Sequence, residues 1–465
     1  MAVELIGIVA LAVGLASIFF GTAFITYVFF GFTLLGAAAA FVLESLGGTN
    51  ISPAHLLLGF LTFKLLGNKQ IFNEATQGLA FGKASFWLLL TVIYSILSAY
   101  FMPRLFMGQT DVFLVRALGQ YSVPLAPIMS NVTQSIYLAG DFVCFFVLYG
   151  YASLSKGRMV LANAAFACVI LNLVFGALDL ATYWTNTTEL LSFIRNANYS
   201  MLNDTELAGF KRIVGSFVEA SSYAAATIGY FGFSAKMWLL GIRTRLSAIL
   251  SALSLLALVF STSTTAYVGL AVFLCFLYLQ TVVRAMRQTI TPQMTLFLAG
   301  TPILFSILAV AIALNDTSAA YVQSLLDTMV FNKMSTDSGV ERSSWNRQAM
   351  QNFYDTFGFG AGIGSVRTSS FPIAVLSNLG VIGTLLFSMF FVRVLFDQSN
   401  LGSSDRLADA YVQAARCACI AWLITASISG ALVDLGLPFF AFAALACSAS
   451  RSPYLSPAVT RRMVR

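Results

Sequence analysis

The chain has 465 residues, of which 58% are hydrophobic and only 10% are charged, and its formal net charge is +7. A soluble domain carries roughly 25% charged residues, so this composition excludes a water-soluble globular protein, a disordered chain and a collagen-like fibre. The bilayer must act as part of the solvent. The chain has a single histidine, His55, and six cysteines without metal-ligand spacing. We therefore expect no zinc site, no serine triad and no cofactor.

Apolar segments bounded by charged or turn residues fill most of the chain. A spanning helix needs about 20 apolar residues and satisfies its own backbone groups. The predicted segments are 4–20, 23–44, 54–68, 84–102, 130–152, 159–181, 217–241, 246–261, 264–283, 294–313, 373–397, 412–429 and 430–448. The first pair and the last pair are each one apolar stretch divided by glycine, so the expected count is 12 or 13. The sequence predicts an all-α, polytopic integral membrane protein in which residues 1–465 form a single membrane domain.

Lysine and arginine accumulate on one side of the predicted bundle, and this identifies that side as the cytoplasm. The residues are Lys64, Lys69, Lys83, Lys156, Arg158, Arg243, Arg245, Arg284, Arg287, Arg393, Arg406, Arg416 and, in a basic tail over 449–465, Arg451, Arg461, Arg462 and Arg465. Two long loops, 183–216 and 314–371, face the opposite side. The basic residues are spread over many connections, so they do not indicate a nucleic-acid partner.

The loop over 314–371 carries four positive and five negative charges together with several aromatic residues. Their helix-like spacing predicts an amphipathic helix over 341–356, with Arg342, Trp345 and Ala349 on one face. We expect a folded helical cap over the bundle, and a solvated surface helix is the alternative.

Four glycines at alternate positions follow in Phe357-Gly358-Phe359-Gly360-Ala361-Gly362-Ile363-Gly364-Ser365. The segment lacks the Gly-Lys-Ser/Thr ending of a nucleotide loop. Its glycines either present amide donors to an anion, with Arg367 nearby, or form a packed re-entrant turn.

A second polar segment, 211–223, leads into the helix predicted to begin at 217. Glu219 is expected just inside that helix, where a carboxylate is costly unless it is paired or lines a water-filled cavity. Its partner is expected to be Arg212 or an arginine of the later loop. His55 is interpreted as structural or interfacial. Other acidic residues of apolar segments are interpreted as helix-packing or interface positions: Asp141, Asp179 and Asp434.

Together the two polar segments resemble the O-antigen ligase and polymerase superfamily of bacterial surface-polysaccharide assembly. The first is similar to the family's Arg-x-x-Gly-x-Phe-x-Glu-Pro-Ser stretch, in the residues Arg212, Gly215, Phe217, Glu219 and Ser221, with Ala220 in place of proline. The second is similar in Ser338, Gly339, Arg342, Trp345, Leu376, Gly380 and Gly383, and in the ten residues that separate Arg347 from Gly358. Ligases of the family generally carry a histidine after the glycine turn, where this chain has Arg367, Ser369 and Ser370. The resemblance is therefore closer to polymerases of the exopolysaccharide type.

The resemblance implies a metal-independent glycosyltransferase at the outer face of the bacterial inner membrane, with its active site towards the periplasm. Its donor would be an oligosaccharide on a polyprenyl diphosphate such as undecaprenyl diphosphate, and its acceptor a growing glycan. Membrane lipids, a chain-length regulator and export proteins would be its other partners. A polysaccharide ligase, a transporter or flippase, and a non-enzymatic scaffold remain alternatives.

The resemblance also assigns roles to residues of the two polar segments. The expected diphosphate-binding residues are Arg212, Arg342, Arg347, Arg367, Gly360 and Gly362, and the expected catalytic residues are Glu219, Arg342, Arg347 and Asp337. Arginines hold phosphate oxygens bidentately and stabilise a leaving diphosphate. Glu219 is the first candidate for a general base and Asp337 the second. The alternative is that Glu219 pairs with Arg212 to anchor the loop to the helix.

Overall fold

The computed structural model describes residues 2–43, 49–114, 121–198, 201–202, 205–207, 209–287, 290–316, 319–320, 323–324, 327, 335–397 and 405–448. The predicted basic tail over 449–465 and parts of both long loops lie outside these residues. The chain is 74% helical, which confirms the predicted all-α class.

Fifteen α-helices lie in the described residues. They are α1 Leu5–Ser17, α2 Thr22–Phe32, α3 Pro53–Leu66, α4 Lys69–Gln77, α5 Ala84–Leu105, α6 Met129–Ala152, α7 Ser155–Trp184, α8 Ala220–Leu239, α9 Thr244–Phe260, α10 Thr264–Arg287, α11 Pro292–Ala313, α12 Asp337–Asp355, α13 Phe371–Phe396, α14 Arg406–Ser429 and α15 Leu437–Ala446. Seven of them, α5, α6, α7, α10, α11, α13 and α14, are long and apolar enough to cross a membrane, and α1, α2, α3, α9 and α15 are shorter apolar helices. Every predicted apolar segment contains a helix, and the chain is a multi-pass membrane protein.

Short antiparallel strands connect the helices at one end of the bundle. β1 Ala2–Val3, β2 Phe41–Leu43 and β3 Thr49–Ile51 form a three-stranded sheet in the order β1-β2-β3. The other strands form two pairs, β4 Asp111–Phe113 with β5 Ser122–Pro124 and β6 Glu206–Leu207 with β7 Phe210–Lys211.

The apolar segment predicted over 23–44 is helical only as far as Phe32, so the prediction is wrong for its second half. There the backbone forms turns, such as the hydrogen bond from the Ala38 amide to the Leu35 carbonyl, and also hydrogen-bonds to distant segments. The Ala37 amide donates to the Ser216 carbonyl at 3.0 Å, and the Ala40 amide donates to the Ile51 carbonyl at 2.7 Å. Tertiary partners thus replace the helical hydrogen bonds that the apolar composition would otherwise favour.

The helix α4 was not predicted, because its nine residues carry too few apolar side chains to form a membrane segment. The Asn68 side chain caps its N-terminus by accepting from the amides of Gln70 and Ile71. Its buried residues, Ile71 and Ala75, face α6.

The centre of the bundle is formed by α8 and α14, with α7, α9 and α10 packed around them. A Cβ added at Gly229 of α8 would lie 2.1 Å from the Trp422 indole of α14, so the absent side chain makes room for that ring. The helix α11 has the opposite character, since Met294 is its one buried residue within the described part and its large apolar side chains are exposed. Such a surface needs lipid as its solvent.

The helix predicted over 341–356 is present as α12, which packs on α13 and β4. Trp345 and Ala349 of its predicted face are buried, and Ala349 belongs to a small apolar core separate from that of the bundle. The Asn352 side chain donates to the Asp111 carbonyl at 2.6 Å and so ties α12 to β4.

Candidate functional site

The loop before α8 is held by Asp179, which is 1% exposed near the end of α7. One of its carboxylate oxygens accepts from the amides of Val214 at 2.7 Å and Gly215 at 3.2 Å. The other lies 2.6 Å from Arg195 Nη2 and 3.7 Å from Lys211 Nζ. These contacts fix residues 211–215 against the bundle. Sequence analysis interpreted Asp179 as a helix-packing or interface position and missed its role in holding this loop, because its cationic partners are distant in sequence or lie within the loop.

Glu219 precedes α8, so the prediction that it lies inside the helix is wrong. It occupies the N-cap position with extended backbone angles, and its carbonyl accepts from the amides of Ser222 and Tyr223. Its carboxylate accepts a hydrogen bond from the Ser221 hydroxyl. The carboxylate therefore lies, half-buried, at the end of the bundle and faces the cap.

The cap contributes two arginines from different segments. Arg342 lies on α12, and the guanidinium of Arg367 stacks on the indole of Trp345, 3.7 Å from the ring centroid. The Arg367 amide donates to the Phe113 carbonyl at 2.9 Å, which fixes its backbone on β4. The Ser369 amide donates to the Asn346 side chain at 2.8 Å. The stacking and both hydrogen bonds hold Arg367 in a defined position beside α12.

Arg212, Arg342 and Arg367 form one electrostatic group, which we call the arginine cluster. Burial lowers the pKa of the Arg212 guanidinium. The negative charge of Glu219 raises this pKa, and the positive charge of Arg342 lowers it further. Burial also lowers the pKa of Arg367. The negative charges of Glu341 and Glu219 raise this pKa, and the positive charge of Arg342 lowers it further. All three keep their charge at neutral pH.

The arginine cluster has no ion pair with a carboxylate within the described part of the chain. The Nε of Arg212 is buried and has no hydrogen-bond partner among the described atoms. Like charges held near one another in partly buried positions repel, because the dielectric constant there is lower than in water. An anion bound between the three guanidinium groups would relieve this repulsion and satisfy the unpaired donor.

A cavity of about 190 Å³ lies at the same end of the bundle and is lined by Glu219, Ser221 and Ser222 on one side. Trp422 and Ser429 of α14 and the following residue Asp434 line the other side. The Thr368 hydroxyl lies 3.4 Å from the carbonyls of Gly430 and Ala431, so the segment that carries Arg367 adjoins the wall of the cavity. Glu219 thus lines the cavity and also interacts electrostatically with two members of the arginine cluster, Arg212 and Arg367.

The glycine turn is a packed structural element, and the prediction that Gly360 and Gly362 offer amides to an anion is wrong. The Gly360 amide donates to the Thr356 hydroxyl, and the Gly362 amide donates to the Asn378 carbonyl at 2.9 Å. The turn inserts where α13 is broken at Gly380, whose φ is 63° and ψ is −165°. A Cβ at Gly380 would lie 2.3 Å from the Gly358 carbonyl oxygen.

Two other predicted residues lie apart from the cluster or are not described. Arg347 is exposed on α12, five residues beyond Arg342 and therefore on another face of the helix. Arg347 is therefore not part of the arginine cluster. Asp337 is the first residue of α12, and its side chain lies outside the described part of the chain. Among the described residues, no three histidine, cysteine, aspartate or glutamate side chains are placed to hold a metal ion.

Taken together, the helices and the site define an all-α, multi-pass membrane protein with an adjoining cavity and three arginines that make no ion pair within the described residues. No family model matches the chain, and no curated protein matches it.

Proposed function

We propose that this protein is a polysaccharide polymerase of the bacterial inner membrane. It transfers an oligosaccharide from a polyprenyl diphosphate to a glycan acceptor at the periplasmic face. The observation that carries the proposal is the arginine cluster beside the cavity. Its guanidinium groups make no ion pair in the described part of the chain, and they come from two segments more than 100 residues apart in sequence. Both segments are part of the family resemblance.

The chemistry of the donor fits this arrangement. As the glycosidic bond breaks, negative charge develops on the leaving diphosphate, and arginines fixed in advance stabilise that charge without reorganising. Trp345 holds one of these guanidinium groups in place by stacking. Glu219 offsets part of the positive charge and lines the cavity in which the acceptor sugar would lie.

The ends of the helices support the proposed orientation. The helices α8, α13 and α14 meet the cavity at Ser221, Phe371 and Ser429, while their opposite ends lie near Arg243, Arg393 and Arg406. Because arginine and lysine mark the cytoplasmic side, the site faces away from the cytoplasm.

The test is an elongation assay with purified protein in lipid nanodiscs. The donor is the pool of polyprenyl-diphosphate glycans that accumulates in cells lacking this chain, and the products are separated by length. We expect a ladder of products from the wild type and its loss in Arg342→Ala. The matched variant is Arg347→Ala, which removes the same side chain from an exposed face of the same helix, and it should retain the ladder.

A ladder that both variants retain would contradict the role of Arg342. Absence of elongation by the wild type, with transfer of the glycan to a different lipid, would indicate the ligase alternative.

A further inference from the structure

A second polar group lies beside the cavity, and the arginine cluster does not account for it. Asp141 of α6 is 0% exposed, and neither of its carboxylate oxygens has a hydrogen-bond partner among the described atoms. No lysine or arginine nitrogen of the described residues lies within 4 Å of it. A buried carboxylate without a cation is costly in a membrane protein and marks a functional position.

Asp141 interacts electrostatically with Asp434. The Cys144 thiol, three residues further along α6, donates to the Leu437 carbonyl at 3.7 Å, so α6 lies against the segment that carries Asp434. Asp434 lies between α14 and α15 and lines the same cavity as Glu219. Its Oδ1 accepts from the Gly436 amide at 2.5 Å, which fixes the orientation of the carboxyl group. We call Asp141 and Asp434 the carboxyl pair, with one member buried and the other at the cavity wall.

His55 of α3 completes the group. Its Nδ1 lies 2.7 Å from the Ser52 hydroxyl, its Nε2 is buried with no hydrogen-bond partner among the described atoms, and the ring interacts electrostatically with Asp434. Buried polar groups without a hydrogen-bond partner are costly, so Asp141 and His55 are placed to interact with the Asp434 carboxylate and to orient it at the cavity wall.

Building on the proposed glycosyl transfer, we propose that Asp434 is the catalytic base that accepts the proton of the acceptor hydroxyl, with Asp141 and His55 as positioning residues. In this step the acceptor O–H bond breaks and its proton passes to the Asp434 carboxylate. The acceptor oxygen forms a bond to the anomeric carbon of the donor. The bond between that carbon and the diphosphate oxygen breaks, and its electron pair leaves with the diphosphate.

Asp434 suits this role better than Glu219, which was the first candidate from sequence. Glu219 interacts with Arg212 and Arg367 and accepts a hydrogen bond from Ser221, so its charge is engaged in balancing the arginine cluster. Asp434 faces the cavity without a cation within 4 Å in the described structure. The titratable groups that face the carboxyl pair come from α3, α6 and the start of α8: His55, Cys144 and Glu219.

The experiment compares Asp434→Asn, Asp434→Glu, Asp141→Asn and the double variant of Asp141→Asn and Asp434→Asn with the wild type in nanodiscs. One measurement is binding of undecaprenyl diphosphate, which tests the arginine cluster without any sugar. The other is the single-turnover rate of elongation, with the donor pool described above. Asp316→Asn, an exposed carboxylate of the same loop as the cap, is the control.

We expect Asp434→Asn to bind undecaprenyl diphosphate within twofold of the wild type and to elongate roughly 100-fold more slowly or worse, the usual scale of general-base catalysis. Asp434→Glu should restore part of the rate. Because Asp141 acts only through Asp434, Asp141→Asn should lower the elongation rate in the wild-type background and have no further effect when it is combined with Asp434→Asn. A purely structural role for Asp141 would lower the rate by the same factor in both backgrounds.

The outcomes separate the two proposals. If the wild type elongates and Asp434→Asn stays within threefold of it, or if Asp141→Asn lowers the rate equally with and without Asp434→Asn, the role of the carboxyl pair is overturned and the polymerase stands. If the wild type neither binds undecaprenyl diphosphate nor elongates, both proposals are overturned.

Discussion

Replacing Asp179 by asparagine should loosen the loop that carries Arg212. The substitution keeps the shape of the side chain but removes the charge that faces Arg195 at 2.6 Å and Lys211 at 3.7 Å. These side chains are 1%, 4% and 2% exposed, so solvent screens the lost attraction very little. Removing one partner of a buried ion pair costs about 3–5 kcal/mol. Because the asparagine oxygen can still accept from one amide, we take the lower value of about 3 kcal/mol.

Hydrogen exchange of the loop measures this effect directly, since the amides of Val214 and Gly215 donate to Asp179. A loss of about 3 kcal/mol in local opening free energy corresponds to roughly 100-fold faster exchange. The assay is exchange followed by mass spectrometry of the peptide over 211–219 in nanodiscs. Glu189→Gln, an exposed carboxylate of the same outer loop, is the control. Exchange within threefold of the wild type, or an equal increase in the control, would refute the reasoning.

Three further substitutions test other parts of the structure. Gly380→Ala should lower the free energy of unfolding by at least the roughly 1–3 kcal/mol of a strained backbone, because a Cβ there meets the Gly358 carbonyl at 2.3 Å. The control is Gly59→Ala, which has open space around it and should change the free energy of unfolding by less than about 1 kcal/mol. Equal unfolding temperatures for the two variants would contradict the close approach. Arg367→Lys should weaken binding of undecaprenyl diphosphate severalfold in a titration, because lysine lacks the planar group that stacks on Trp345. Unchanged affinity would contradict a role for Arg367 in binding the diphosphate. Glu219→Gln should strengthen binding of undecaprenyl diphosphate about threefold or more at low salt, because it removes a negative charge near Arg212 and Arg367. Weaker binding would contradict this and show that the carboxylate is needed to shape the site.

The membrane helices could be predicted from sequence because apolar length is a local property. Each predicted segment contains a helix, and the amphipathic pattern of the cap appears as α12. The prediction is wrong where partners come from distant segments: the backbone after Phe32 pairs with residues around 51 and 216 and is not helical. The short helix α4 has too few apolar residues to be detected by hydropathy.

The candidate site was only partly predictable for the same reason. Arg212, Arg342 and Glu219 were identified by the family resemblance and Arg367 by its place beside the glycine turn, but their approach to one another depends on Asp179 and on the packing of α12. The glycine turn could be read in two ways, and its hydrogen bonds decide between them: the Gly360 amide donates to the Thr356 hydroxyl and the Gly362 amide to the Asn378 carbonyl of α13.

The carboxyl pair was not identified from sequence. An isolated aspartate within or beside an apolar segment gives no signal of its partner, and Asp141 and Asp434 are almost 300 residues apart.

The most direct test of the arginine cluster as a diphosphate site is an electron cryo-microscopy structure of the protein in nanodiscs with undecaprenyl diphosphate. Our account predicts density for the diphosphate within hydrogen-bonding distance of the guanidinium groups of Arg212, Arg342 and Arg367. Density for the diphosphate at a different place on the protein, with these three arginines unoccupied, would contradict it.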